Sequence, residues 1–265
     1  MKSIFRLILA HPRPTRFILA VSVTSFCFFM LDPSVFSFGV RFLITFSLLF
    51  SCYTFVGAVP DLLLREPLEK LEQDCDPYPF LEEVKLHTHK LPDNFQGQMT
   101  LINYAMALVQ TGAYEEALRT LERIQADRFL APSPFANFIY YNNLCDVMTR
   151  LERFQEADDF YRKALEIQET LPNNRLREKL TRTVEMNAIE ALYRDQDYSG
   201  TLRRLARIPC PTQRSVVEAA LLAARCNIHL EEWDKAKEKL QYVIDNGNRL
   251  HCATEARLLL EQLPE

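Results

Sequence analysis

The polarity pattern of the chain changes once along its length. Phe17 to Leu31 contains no charged residue, and after Asp32, Pro33 and Ser34 a second apolar stretch runs from Phe42 to Val59. A membrane-spanning helix needs ~20 mostly apolar residues, with ~17 as the floor. The second stretch meets that requirement and the first sits at its edge, so together they predict a transmembrane helical hairpin over 17–60. Beyond residue 97 apolar residues return at intervals of three and four with charges between them, as in amphipathic helices that bury one face. The predicted fold class is therefore all-α.

Lys2, Arg6, Arg13 and Arg16 precede the first apolar stretch with no acid among them, which makes 1–16 a basic leader. The positive-inside tendency keeps such an N-terminus cytoplasmic, and two crossings return the chain to the cytoplasmic side of the cell membrane. Arg41 on the short outer loop opposes that assignment, and a first segment that does not span would leave the remainder outside. A cleaved signal peptide is the competing reading of the first stretch, but no small-x-small site ends it and a second span follows closely. Ile4 to Ala10 reads as a short interfacial anchor with basic residues toward anionic lipid, or as a frayed leader.

From 61 to 96 the chain is acidic and broken by Pro67, Pro77, Pro79 and Pro92, which predicts a stalk or cap with short helices near Leu62–Leu71 and Phe80–Leu91. His87 and His89 lie in the second of these. Two histidines without a third nearby ligand do not make a metal site, and solvent exposure is expected of them.

The most informative feature is internal repetition over 97–265. Four segments share one phase when aligned on an aromatic residue: Tyr114, Phe154, Tyr198 and Trp233. Three residues after it stands a small residue, Ala117, Ala157 or Ala236, with Thr201 the exception. Nine before it stand Ala105, Cys145 and Ala224, with Ile189 departing. Apolar residues occupy the positions ten before (Tyr104, Leu144, Ala188, Ala223) and seven after (Leu121, Tyr161, Leu205, Leu240). Each segment reads as a helix, a turn and a second helix that cross closely at the small residues. Arg207 to Pro211 cuts the third unit's second helix short, and Ala253 to Leu263 forms a terminal cap. This phase assigns Trp233 to packing.

The pattern resembles the tetratricopeptide repeat, a family of helix-turn-helix units of about 34 residues. The resemblance covers roughly Gln98 to Val243, and the second unit carries it best through Leu144, Phe154, Ala157, Tyr161, Ala164 and Leu165, followed by Pro172-Asn173-Asn174. The family's turn glycine appears only as Gly112, with Glu152, Gln196 and Glu231 in its place elsewhere. The aromatics are spaced by 40, 44 and 35 residues, so irregular stacking is expected. The resemblance implies an α-solenoid of about four units following the hairpin, with the first helix of each unit lining a concave surface where a protein or peptide lies. Asn103, Asn143 and Asn187, eleven before the aromatics, match the family asparagine that bonds to a peptide backbone. Asp146, Glu190, Arg150 and Arg194 flank them on the same helical face, the arginines suited to bidentate carboxylate binding or to pairing with Asp146 and Glu190.

Composition narrows the chemistry. A net charge of −4 lacks the basic footprint of a nucleic-acid binder, and only six glycines leave few places for a phosphate-cradling loop. Seven cysteines without a Cys-x-x-Cys pair suit a reducing compartment and read as buried small hydrophobes, Cys145 and Cys226 among them. The run Arg175, Arg177, Lys179 and Arg182, interleaved with Glu178 and Glu185, reads as a solvated helical face. No catalytic motif or nucleophile-base pairing stands out, and neither a metal nor a small-molecule cofactor is expected. The expected function is a membrane-anchored scaffold or adaptor that binds a partner protein or peptide; a regulator sensing a signalling peptide is the alternative.

Overall fold

The structure, a computed structural model, describes residues 12–32, 34–88, 93–171 and 174–264. Every regular element among them is a helix, so the chain is all-α. The segment Ile4 to Ala10, most of the basic leader, His89, Pro92, Pro172 and Asn173 lie outside the described residues. Two compact units divide the chain, residues 1–66 and residues 67–265.

The first unit contains α1 (Pro12–Met30) and the start of α2 (Phe38–Asp74), joined where the Asp32 carboxylate accepts hydrogen bonds from the Ser34 amide and hydroxyl at 2.8 and 2.7 Å. The Arg16 guanidinium lies 4.3 Å from the centre of the Tyr53 ring, which brings the start of α1 beside α2. The hydroxyls of Thr24, Thr45 and Ser51 donate to carbonyls four residues earlier, so these polar groups need no partner outside their own helices. Phe28, Phe29, Phe38, Phe42, Phe46 and Phe50 are each more than half exposed. One window among the described residues, Phe38–Val56, is long and apolar enough to cross a membrane, with 19 residues and a mean hydropathy of 1.6. Only 6% of it is buried, unlike the core helix of a globular domain. The first of the two expected spans falls short of that length: α1 is apolar only over Pro14–Met30.

In the second unit, α3 (Tyr78–Thr88) leads into helix pairs α4 (Phe95–Gln110) with α5 (Tyr114–Glu122), α7 (Pro134–Arg150) with α8 (Phe154–Glu169), α9 (Asn174–Arg194) with α10 (Tyr198–Leu205), and α11 (Gln213–His229) with α12 (Trp233–Asn246). A single turn, α6 (Ala126–Phe129), follows the first pair, and α13 (His251–Glu261) ends the series. Partners pack on each other and successive pairs pack through α5 on α7, α8 on α9, and α10 on α11. The crossings occur at the small residues: Ala105, Ala117, Cys145, Ala157, Ala224, Ala236 and Thr201 have no exposed surface, and Ile189 is 2% exposed. Thr201 is tolerated there because its hydroxyl donates to the Asp197 carbonyl at 2.8 Å. Leu121 and Leu240 are likewise sealed, each such side chain contributing about 1.5–3 kcal/mol through burial. Pro209 and its neighbours limit α10 to eight residues.

All four turns have one geometry. Gly112, Glu152, Gln196 and Glu231 take φ values of 81°, 59°, 63° and 59°. In each, this residue donates to the carbonyl three back and the next residue to the carbonyl five back, as in Ala113 to Leu108 at 3.0 Å and Arg153 to Met148 at 2.9 Å. That is the Schellman closure, which satisfies the last carbonyls of a helix through a left-handed residue. Side chains at three of these positions bear a conformational penalty that glycine avoids. Gly112 is different in a second respect: a Cβ there would overlap the His251 ring.

That overlap marks a closure of the second unit. His251 on α13 meets the first turn, its ring 5.6 Å from the Tyr114 ring and perpendicular to it. Alongside, residues 72–78 are tied to the fourth pair and the loop after it. Arg214 donates to Glu72 at 2.9 Å and to Glu218 at 3.0 Å. The Arg249 amide donates to the Cys75 carbonyl at 3.2 Å while its guanidinium lies 4.0 Å from the Tyr78 ring centre, and Asn248 donates to the Asp74 carbonyl at 2.7 Å.

Gly112→Ala is expected to destabilise the chain by about 1–3 kcal/mol, through backbone strain and displacement of His251. Glu231→Gly is expected to add about 0.5–1 kcal/mol by relieving left-handed strain against glycine's greater unfolded entropy. Thermal unfolding of the full chain in detergent measures both, and an unchanged midpoint for Gly112→Ala would contradict the role given to His251.

Candidate functional site

The paired arrangement delivers the C-terminal ends of the first helices to one place. A cavity of about 600 Å³ is lined from α4 by Gln110, from α7 by Arg150, from α9 by Arg194 and from α11 by His229, residues that stand four before the four aromatics. Glu190 and Arg225, eight before, also line it, as do Tyr114, Phe154 and Tyr193. The last helix adds His251 and Glu255.

The charges inside are arranged as pairs. Arg150 donates from Nε to Asp146 at 3.2 Å and lies 4.0 Å from Glu190. Arg194 is nearly sealed; it bonds to Asp158 and, at 3.3 Å, to the Thr149 hydroxyl, so it braces α9 against the second pair. Its Nε is buried without a partner among the described residues. Arg225 donates from Nε to Glu255 at 2.8 Å, joining the fourth pair to α13. At the rim His229 stacks on Tyr198 with ring centres 4.3 Å apart, and its Nε2 lies 3.3 Å from the Tyr193 hydroxyl.

Burial dominates the electrostatics. It pushes the Glu190 carboxyl above the ordinary carboxylate range, Arg150 and Arg194 opposing the rise and Asp146 and Glu218 adding to it. Arg150 is held charged more firmly than usual because Asp146 and Glu190 outweigh its own desolvation. Burial also pushes the Cys145 and Cys252 thiols up to about 12, so both stay protonated and behave as small apolar groups. Among the described residues no group of three or more His, Cys, Asp or Glu is placed to hold a metal ion.

The seven residues singled out from the sequence divide between two places. Arg150, Arg194 and Glu190 line the cavity. Asn103, Asn143 and Asn187 do not: Asn103 and Asn143 each lie seven residues, about 10 Å along the axis, before Gln110 and Arg150, whereas Asn187 stands between the lining residues Met186 and Glu190 without lining the cavity itself. The Asn187 amide donates to Asn142 at 2.8 Å and is buried, so it links two first helices to each other. Asn103 and Asn143 are half-buried and make no side-chain hydrogen bond among the described residues. Asp146 serves as the partner of Arg150 from outside the cavity wall. Glu218, Glu255, His251 and Tyr193 were not foreseen. The repeat phase carries no equivalent of Glu218, and the two α13 residues stand on a helix whose charges read as solvent-facing.

Compared with protein-family models, curated proteins and solved structures, the chain finds no match.

A carboxyl whose folded pKa is raised stabilises the fold fully below its unfolded pKa, and that contribution is lost as pH rises through the folded value. The melting temperature of the native chain is therefore expected to fall more steeply than that of Glu190→Gln between about pH 5 and about pH 8. Parallel melting profiles would show that Glu190 ionises without cost.

Proposed function

We propose that the chain is a membrane-anchored interaction scaffold. In this reading its helix pairs form a tetratricopeptide-like solenoid, and the cavity where the first helices converge receives part of a partner protein. The observation that carries the proposal is positional equivalence: Gln110, Arg150, Arg194 and His229 occupy one phase of four successive pairs and line one cavity. Positions that merely pack have no reason to converge on shared empty space, whereas a recognition surface assembled from repeats does. Phe38–Val56 serves as the anchor, with its phenylalanines in lipid and its hydroxyls satisfied within the helix. In this proposal the 17-residue apolar part of α1, at the floor for a span, crosses as well, and the two crossings return the helix pairs to the cytoplasmic side that the basic residues Lys2, Arg6, Arg13 and Arg16 favour.

Two experiments bear on the two halves of the proposal. A photo-crosslinking residue placed at Phe154, on the cavity wall, is expected to trap one discrete partner in native membranes, while the same residue at exposed Glu238 traps none. Equal trapping at both sites would remove the cavity from the function. Alkaline extraction is expected to leave the full chain in the membrane fraction and protease added to intact cells to spare the helix pairs. Release by alkali would refute the anchor, and cleavage from outside would refute the cytoplasmic placement.

A further inference from the structure

We infer that the cavity receives a cationic side chain, a lysine or arginine presented by the partner polypeptide, between the Glu190 and Glu152 carboxylates and the rings of Tyr114, Phe154 and Tyr193. This inference rests on the cavity being the partner site.

The first argument is the state of the cavity's own cations. Arg150 is engaged by Asp146, Arg194 by Asp158 and Thr149, and Arg225 by Glu255. An anionic group entering the cavity must displace a carboxylate already seated at short range, with the desolvation of both anions against it. Glu218 and Glu255 are held by Arg214 and Arg225, but the other two carboxylates of the wall are in the opposite position. Glu190 has its nearest guanidinium at 4.0 Å, beyond hydrogen-bond reach, and Glu152 at the turn forms no ion pair among the described residues. Around the cavity stand six carboxylates, on Asp146, Glu152, Asp158, Glu190, Glu218 and Glu255, against four guanidinium groups, on Arg150, Arg194, Arg214 and Arg225. The uncompensated charge is negative.

The second argument is shape. Lysine and arginine carry an apolar stem and a charged head, and they lie favourably against aromatic rings with the head on a carboxylate. The cavity supplies both features, with Tyr114, Phe154, Tyr193 and Leu222 in its walls beside Glu190. At about 600 Å³ it admits a long side chain with adjoining main chain. The contact of Tyr114 and His251 brings the first turn against the last helix, so an inserted side chain suits the space better than a strand threaded through it. Burial holds the unliganded Glu190 above the usual carboxylate range, and a cation beside it favours the charged form. The groups facing Glu190 are Asp146 and Arg150 from α7, Arg194 from its own helix and Glu218 from α11.

The test is titration of the full chain in detergent micelles with two short acetylated fluorescent peptides, one alternating lysine with alanine and the other glutamate with alanine. The lysine peptide is expected to bind saturably and the glutamate peptide not at all. The double variant Glu152→Gln/Glu190→Gln is expected to weaken lysine-peptide binding on the order of tenfold or more, the effect of losing charge-assisted contacts. Glu238→Gln, on the exposed side of α12, is expected to leave it unchanged. Preference for the glutamate peptide, binding of neither, or equal loss with Glu238→Gln would overturn the inference. A thermal melt of the double variant matching the native midpoint excludes misfolding as the cause of its loss. Should trapping at Phe154 still succeed when the lysine peptide fails, the cavity remains a partner site and only the side-chain class is refuted.

Discussion

The second unit depends on how closely two helices of a pair approach. Ala105 and Ala117, Cys145 and Ala157, and Ala224 and Ala236 put small side chains on the two helices of a pair, and none of them has surface left for water. Close-packed interiors leave little freedom to shift such a crossing. The crossing fixes where each first helix must stop and reverse, and hence the left-handed residue in every turn. It also fixes which residues of the first helices point past the turn. The cavity follows from that constraint, because the same late position in each pair reaches it.

Burying charge in such a space has conditions. A guanidinium that enters low-dielectric surroundings needs its counter-ion fixed nearby, and here each one has a carboxylate on its own helix or on a neighbouring element. These pairs therefore act between elements as well as within the cavity: Arg194 joins the third pair to the second, and Arg225 joins the fourth to the last helix. A residue type that suits ligand binding in an open groove serves as a strut when its partner is built in.

The sequence disclosed the pairs because packing leaves a mark on residue size. Small residues nine before and three after an aromatic can hardly recur by another route, and even the departures Ile189 and Thr201 lie buried where the phase puts them. The turns were less readable, since the Schellman bonds engage only the backbone, and Glu152, Gln196 and Glu231 look nothing like glycine. In the candidate site, Arg150, Arg194 and Glu190 line one cavity, whereas Asn103 and Asn143 lie about two turns before its wall and the Asn187 amide is held by Asn142. The closure was invisible for a simple reason. Arg214 and Glu72 are 142 residues apart, and no local pattern announces so distant a pair. The first apolar segment falls short of a full-length span because α1 ends at Met30 and is apolar only from Pro14.

Closure also bears on how such a chain can change over time. In an open array of helix pairs, units are gained and lost at little cost because each contacts only its neighbours. Here Arg214 and Arg249 must reach residues 72–78, and His251 must fit over a glycine in the first turn. These contacts tie early and late parts of the second unit directly to each other, so a helix pair added or lost between them is expected to disturb both, a constraint that an array touching only its neighbours does not carry.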